Sequence, residues 1–238
     1  MIIFWRLVLA HLLADFTLQT NKIAEWKRRS MMGIFVHTLI FAILAFIFSS
    51  VYIFNETFTL QPLLDTWWRF PGWFSIIVLS AVHFVEDYYR VWSIQKGGST
   101  DNVFFFLWDQ FIHIFLIFLF VPSLQISIPE KFVMLFILLV LNTHFSTVLI
   151  YYLEEAVFGQ EDISIRFGNK YFFILLRLII FVSLLLPKYW MLMVIPAGFI
   201  TYRILFVNNK QKFTNLNLIL SFIISIVLGI LAHMVIYG

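Results

Sequence analysis

Histidine and aspartate residues recur at a spacing of four within the apolar stretches of this chain. The three pairs are His11 with Asp15, His83 with Asp87, and Asp109 with His113. Residues i and i+4 of a helix lie on the same face, with Cβ atoms roughly 6 Å apart. Each pair can therefore offer two ligands to one metal ion, as zinc-binding helices do with two histidines. Three such pairs in apolar helices predict an intramembrane metal site.

The available ligand types narrow the choice of metal. The chain contains no cysteine, which excludes thiolate ligands, disulfides and a cysteine nucleophile. Imidazole and carboxylate suit Zn, Mn, Fe or Mg rather than Cu(I) or an iron–sulfur cluster. We expect one or two divalent ions, with Zn as the first choice and Mn or Fe as alternatives.

Each polar residue in these helices receives a predicted role, because charge in hydrocarbon is costly and is normally tied to function. The predicted metal ligands are His11, Asp15, His37, His83, Asp87, Asp109 and His113. The predicted catalytic residues are Glu86, as general base, and His144, in a catalytic or supporting role. The predicted substrate-binding residues are Gln19, Gln110 and Arg177. His233 stands alone in the last apolar segment, which is more typical of a packing or interfacial histidine.

Long apolar segments must position these residues. With 62% hydrophobic residues and a mean hydropathy of +0.94, the chain has too little polar surface for a soluble domain. We therefore expect an all-α, polytopic bundle of about eight transmembrane helices. The predicted spans run from Ile2 to Leu18, Gly33 to Phe54, Trp73 to Val91, Val103 to Val121, Phe132 to Leu153, Tyr171 to Leu186, Tyr189 to Val207 and Leu216 to Tyr237.

The distribution of basic residues predicts the orientation of the spans. Ten Lys and Arg residues lie in loops on the side where the first span ends, against three on the other side. The positive-inside rule makes the first side cytoplasmic, and Lys27, Arg28 and Arg29 are read as part of this signal. The loop positions also explain the pI of about 9.1 without nucleic-acid binding. Every candidate ligand falls in the cytoplasmic half of its span, as a single buried site requires.

The candidate ligands also suggest an internal repeat. His11, Asp15 and His37 recur as His83, Asp87 and Asp109, each displaced by 72 residues. This pattern predicts two parallel helix pairs related by an axis along the membrane normal. We expect one membrane domain over residues 1–238, with metal-site helices in 1–153 and supporting helices in 154–238.

The first half of the chain resembles a known family. The residues that carry the resemblance are the segment from His11 to Gln19, the basic run to Arg29, Gly33, His37, the segment from His83 to Asp87 and the segment from Asp109 to His113. They are similar to the signatures of a bacterial integral-membrane family, domain of unknown function 3307. The resemblance implies a multi-pass protein of the bacterial cytoplasmic (inner) membrane, and it implies no activity. In the second half, Leu176 stands where the family pattern has an acid before Arg177.

Several functions are compatible with these residues. The leading expectation is a metal-dependent hydrolase that acts on a lipid or a membrane-embedded substrate from the cytoplasmic side, since two-metal sites commonly hydrolyse esters and amides. A transporter or channel for divalent cations or protons would also use intramembrane His and Asp. A haem-binding or metal-sensing subunit needs only one or two histidines and leaves the carboxylates unexplained. The pairs are also compatible with structural hydrogen bonds between helices.

Overall fold

The computed structural model describes residues 2–53, 72–120, 130–159, 170–186, 195, 198 and 214–238. These residues form eight principal helices and contain no strand, which confirms the all-α class. The chain divides into two compact units, Met1–Val133 and Met134–Gly238. The single membrane domain over residues 1–238, with metal-site helices in 1–153, stays a prediction.

The first unit contains five helices. Helix α1 (Ile2–Leu12) continues as a π-helical segment, Leu13–Leu18, and is followed by α2 (Asn21–Arg29), α3 (Met31–Ile53), α4 (Gly72–Gln95) and α5 (Val103–Phe120). Helices α1 and α4 each pack against both α3 and α5. Their shared interior is apolar over most of its length, with Leu9, Ile34 and Phe41 fully buried. The arrangement suits the predicted pair of helix repeats, which stays a prediction.

Helix α2 is a polar helix held tightly against the start of α3. Thr20 caps the N-terminus of α2, because its side chain accepts a hydrogen bond from the backbone N–H of Ile23 at 3.4 Å. No residue of α2 is buried. A Cβ atom at Gly33 would overlap the backbone of Trp26 and Lys27. Only glycine permits this approach, so Gly33 sets where the second half of α2 lies. We call this contact the α2–α3 corner.

The second unit contains most of α6 (Lys131–Phe158) together with α7 (Lys170–Leu185) and α8 (Asn215–Tyr237). Helix α6 is interrupted by a second π-helical segment, Leu141–Phe145. Helix α8 packs against α7 through small buried residues, and a Cβ atom at Gly229 would collide with the side chain of Leu184. Close helix packing through small residues is typical of membrane bundles.

Four described helices are long and apolar enough to cross a membrane: Met31–Ser50, Val103–Phe120, Lys131–Phe158 and Asn215–Tyr237. Helix α4 carries Glu86, Asp87 and Arg90, and α7 has only 16 residues, which sets both apart by charge or length. The predicted span from Tyr189 to Val207 falls largely outside the described residues. The chain therefore has four membrane-crossing candidates in its described part, and the full set of eight stays a prediction.

Candidate metal centre

The seven predicted ligands are carried by four helices of the first unit. Helix α1 and its π-helical segment carry His11 and Asp15, and α3 carries His37. Helix α4 carries His83 and Asp87, and α5 carries Asp109 and His113. The four histidines are at most 3% exposed, and the side chain of Asp15 is 7% exposed. The unit thus places a cluster of titratable groups in an otherwise apolar bundle.

Four ligand atoms form the centre of this cluster, and we call them the central quartet. They are Asp15 Oδ1, His37 Nε2, His83 Nε2 and Asp87 Oδ2. The two Nε2 atoms are 3.3 Å apart. Asp15 Oδ1 lies 3.2 Å from the His37 nitrogen and 3.9 Å from the His83 nitrogen. Asp87 Oδ2 lies 3.4 and 3.6 Å from the same two nitrogens.

The separations within the triad of His37, His83 and Asp87 are close to those between the ligand atoms of a zinc ion. Zinc bonds to histidine nitrogen and carboxylate oxygen are about 2.0–2.2 Å long, so the edge of a zinc tetrahedron is about 3.3–3.6 Å. The five separations range from 3.2 to 3.9 Å. Asp87 Oδ2 is buried and accepts no hydrogen bond from any described residue, and Asp15 Oδ1 is buried with the imidazole of His37 at 3.2 Å. Since buried polar atoms normally have partners, a cation among these atoms would account for both oxygens.

His11 lies beside the quartet and is oriented by Gln110. The Oε1 atom of Gln110 accepts from His11 Nε2 at 3.1 Å, which leaves His11 Nδ1 as the acceptor nitrogen. That nitrogen is 3.6 Å from Asp15 Oδ1. His11, Asp15 and His83 form one possible metal-binding triad, and His37, His83 and Asp87 form another. His83 belongs to both triads and is therefore the residue on which the centre depends most.

His113 and Glu86 lie on the side of Asp87. His113 donates from Nδ1 to the backbone oxygen of Asp109 at 2.8 Å, so its Nε2 carries the lone pair. This Nε2 is 3.5 Å from Glu86 Oε2 and 3.9 Å from Asp87 Oδ1. Glu86 Oε2 is buried without a hydrogen-bond donor among the described residues, although the side chain as a whole is 14% exposed. Glu86 is thus placed at the edge of the cluster.

Lys27 reaches the cluster, which the sequence analysis missed. Its Nζ atom lies 2.6 Å from Asp87 Oδ1, and its side chain is only 11% exposed. In the sequence, Lys27 belongs to a basic run that is typical of a topology signal. Counting charges in the sequence does not separate Lys27 from Arg28 and Arg29. In the structure, the side chains of Arg28 and Arg29 are 68% and 78% exposed.

Asp109 and Gln110 make contacts that support the cluster from α5. Asp109 Oδ2 accepts from Arg90 Nη1 at 2.6 Å and from Gln110 Nε2 at 3.1 Å. Gln110 Nε2 also donates to Asp15 Oδ2 at 3.3 Å. The amide of Gln110 is therefore engaged at both ends, and Asp109 is anchored by Arg90. Their predicted roles in substrate and metal binding stay predictions.

The remaining predicted residues lie at other places. Gln19 follows the π-helical segment of α1, and its Oε1 is buried without a donor among the described residues. His144 and Arg177 belong to the second unit, where His144 Nδ1 is 3.1 Å from Thr143 Oγ1 and Arg177 is 1% exposed. His233 Nδ1 hydrogen-bonds to the backbone oxygen of Leu184 at 2.9 Å, which is a contact between α8 and α7.

Comparison with known proteins identifies the family. A family model described as "Protein of unknown function (DUF3307)" matches residues 3–139, more than half of the chain and the whole of the candidate centre. No curated protein and no solved structure matches the chain. The resemblance noted in the sequence is thereby confirmed, and the chain belongs to the DUF3307 family of proteins of unknown function.

Proposed function

We propose that the first unit is a metal-dependent hydrolase of the bacterial inner membrane, acting from the cytoplasmic side on a lipid or a membrane-embedded substrate. The observation that carries the proposal is the central quartet, in which each carboxylate oxygen lies 3.2–3.9 Å from both imidazole nitrogens and the two nitrogens are 3.3 Å apart. A divalent ion of the zinc type is the group that best suits this donor set.

The residues divide into holding and reacting roles. Asp15, His37, His83 and Asp87 would hold the ion, and His11 and His113 complete the cluster around it. A divalent ion here would supply Lewis-acid polarisation of the scissile carbonyl or phosphoryl group. Glu86 accepts the proton of the attacking water, because its carboxylate lies beside Asp87 and His113 and reaches the partly exposed edge of the cluster.

A purely structural hydrogen-bond network is less consistent with the same atoms. Such a network satisfies its buried acceptors, since each unsatisfied group costs about 1–3 kcal/mol. Among the described residues, Asp87 Oδ2 has no hydrogen-bond donor, although it faces two histidine nitrogens at 3.4 and 3.6 Å. The geometry therefore favours a cation over an additional set of hydrogen bonds.

Ion transport is supported less than hydrolysis. A conduction path needs polar groups on both sides of the membrane midplane. In α1 the turn before His11 is lined by Leu7, Val8 and Leu9, all at most 4% exposed, and Ala45 of α3 is fully buried. This apolar packing favours a pocket that opens on one side only.

The deciding experiment is elemental analysis of the detergent-purified protein by inductively coupled plasma mass spectrometry. We expect one or two Zn, Mn or Fe ions per chain in the wild type and loss of metal in His83→Ala, because His83 belongs to both triads. His233→Ala is the matched control, since His233 bonds to a backbone oxygen, and it should retain the metal.

Two results would contradict the proposal. One is a wild type that stays metal-free after incubation with these ions, and the other is an Asp15→Ala, Asp87→Ala double variant with wild-type metal content. If the metal is present, lipid phosphates and peptides are the substrates to screen, and Glu86→Gln should abolish turnover while leaving the metal bound. Loss of the metal in Glu86→Gln would make Glu86 a ligand rather than the base.

A further inference from the structure

The second unit contains a buried arginine whose hydrogen-bond partners among the described residues are all uncharged. Arg177 of α7 is 1% exposed. Its Nη1 donates to Ser221 Oγ at 3.0 Å, and its Nη2 donates to the backbone oxygen of Thr143 at 3.0 Å and to Thr147 Oγ1. No described carboxylate forms an ion pair with it. The guanidinium is therefore hydrogen-bonded to neutral hydroxyl and carbonyl groups, but it has no negatively charged partner within the described part of the chain.

Part of the guanidinium is also left without an acceptor. An arginine side chain has five N–H groups. Three of them donate to the partners given above, and Nε is buried without a hydrogen bond to any described residue. The Nε–H and one Nη1–H therefore remain for a further acceptor. Unused donors on a buried cation indicate a place for an anion rather than for another neutral group.

The nearby acid, Glu154, is used by other residues. This side chain is 4% exposed, and it accepts from Thr214 Oγ1 and from Asn217 Nδ2, the latter at 3.1 Å. Asn217 Oδ1 accepts from Ser221 Oγ at 3.3 Å, so Glu154 reaches Arg177 only through two intervening side chains. Glu154 thus helps to orient, through Asn217, the Ser221 hydroxyl that accepts a hydrogen bond from Arg177. It does not pair with the guanidinium itself.

The π-helical segment of α6 shapes the surroundings of Arg177. Asn142 donates to the backbone oxygen of Arg177 at 3.0 Å, which fixes α7 against this segment. The Thr143 hydroxyl donates its proton to the backbone oxygen of Leu139 at 2.7 Å. It therefore accepts the hydrogen bond from His144 Nδ1. His144 and Thr147 are both half-buried, so this polar cluster extends to the surface of the unit. π-Helical segments frequently occur at functional sites.

We propose that Arg177, held in place by Thr143, Thr147 and Ser221, forms an oxyanion site whose two unused N–H groups bind a phosphate group, either of an anionic phospholipid or of free phosphate. Guanidinium groups favour phosphate oxygens, and an uncompensated buried charge is costly until such a ligand binds. The inference rests on the second unit alone and is independent of the metal centre.

The test is the thermal unfolding of the full chain in two arms. In zwitterionic detergent, sodium phosphate is compared with sodium chloride at equal ionic strength. In nanodiscs, phosphatidylcholine is compared with a mixture that contains phosphatidylglycerol. We expect the unfolding temperature to rise by about 3–5 °C in at least one arm at a ligand concentration of ten times Kd. A rise with phosphate identifies free phosphate as sufficient, and a rise only with phosphatidylglycerol identifies the lipid headgroup.

Variants connect the shift to Arg177. Arg177→Lys keeps the charge but has no Nε–H, and it should lose most of the shift. Arg29→Gln, which removes an exposed cation in the first unit, should keep the wild-type shift. The proposal is overturned if neither anion stabilises the wild type, or if Arg177→Lys shows the full shift. Neither measurement depends on metal content, so failure here leaves the hydrolase proposal intact.

Discussion

Asp87 lies between two kinds of positive partner. Its Oδ1 atom is 2.6 Å from the ammonium of Lys27, and its Oδ2 atom is 3.4 and 3.6 Å from the imidazoles of His37 and His83. A metal ion in the central quartet would share this carboxylate with Lys27. Two cations close to one carboxylate repel each other, so Lys27 is expected to weaken metal binding.

Replacing Lys27 with Met should therefore strengthen metal binding. We expect the dissociation constant for Zn²⁺ to fall about tenfold, since removing a like charge a few ångströms away contributes at least about 1.4 kcal/mol in a partly buried site. Competition with a chromogenic chelator measures the constant. Arg29→Met removes an exposed charge from the same helix and should leave it unchanged. Weaker binding in Lys27→Met would make Lys27 part of the holding machinery instead.

At the scale of elements, the α2–α3 corner decides where Lys27 can reach. Helix α2 has no buried residue of its own, so its position depends on how closely α3 approaches it. Gly33 allows that approach, because a Cβ atom there would overlap the backbone of Trp26 and Lys27. A polar surface helix is thereby held with one side chain directed into the apolar bundle.

Substituting Gly33 with Ala should displace α2 and separate Lys27 from Asp87. We expect Gly33→Ala to change the Zn²⁺ dissociation constant in the same direction as Lys27→Met. Because both changes remove the same ion pair, the double variant should show little additional change. Met32→Ala is the control, since that side chain is 58% exposed, and its effect should simply add to that of Lys27→Met. Additive effects of Gly33→Ala and Lys27→Met would show that the corner does not position Lys27.

At the scale of the molecule, an ion pair joins the start of α1 to a residue more than a hundred positions later in the first unit. Arg6 of α1 donates from Nε and Nη2 to the carboxylate of Glu130 at 2.6 and 2.7 Å, and from Nη1 to Phe48 O at 2.8 Å. The hydrogen bond from Arg6 lowers the pKa of Glu130, which lies just outside the span Lys131–Phe158.

The Arg6–Glu130 pair should give the first unit a stability that is lost in acid. A glutamate whose pKa is lowered in the folded state contributes its full stabilisation at pH values above its unfolded-state pKa of 4.5. This contribution disappears as the pH falls through the lowered, folded-state pKa. Glu130→Gln should cost at most about 1 kcal/mol above pH 5, because a side chain that is 34% exposed is well screened. As the pH falls through the lowered pKa of Glu130, the variant and the wild type should converge.

Thermal unfolding in detergent across this pH range measures the effect. Glu25→Gln is the control, since that carboxylate is 69% exposed and pairs with Arg29 at 3.7 Å, and it should follow the wild type. A constant difference between Glu130→Gln and wild type at all pH values would show that the pair does not act through the ionised carboxylate.

The positive-inside orientation can be tested directly because the chain contains no cysteine. Thr100→Cys lies in the exposed connection between α4 and α5, and Ser123→Cys lies in the sequence between α5 and α6. In intact cells, a membrane-impermeant maleimide should label Ser123→Cys and should label Thr100→Cys only after permeabilisation. The opposite pattern would place the candidate metal centre on the outer side.

The helical class and the candidate ligands follow from local sequence. Apolar length predicts helices, and a spacing of four places His83 and Asp87 on one face whatever the rest of the chain does. The family was identified separately, by the resemblance of segments such as His11 to Gln19 to its signatures, and the family model confirms it. These properties depend on residues close together in the chain, and local geometry is sufficient to predict them.

Only the tertiary structure decides which atoms meet. His37 and His83 are 46 residues apart, and their Nε2 atoms come within 3.3 Å only because α3 packs against α4. The same packing brings Lys27 to Asp87, whereas Asp109 is bound by Arg90 of the neighbouring helix. From the sequence alone, Lys27 and Arg90 are counted as loop charges. Which helix their side chains contact depends on long-range packing, and local spacing does not predict it.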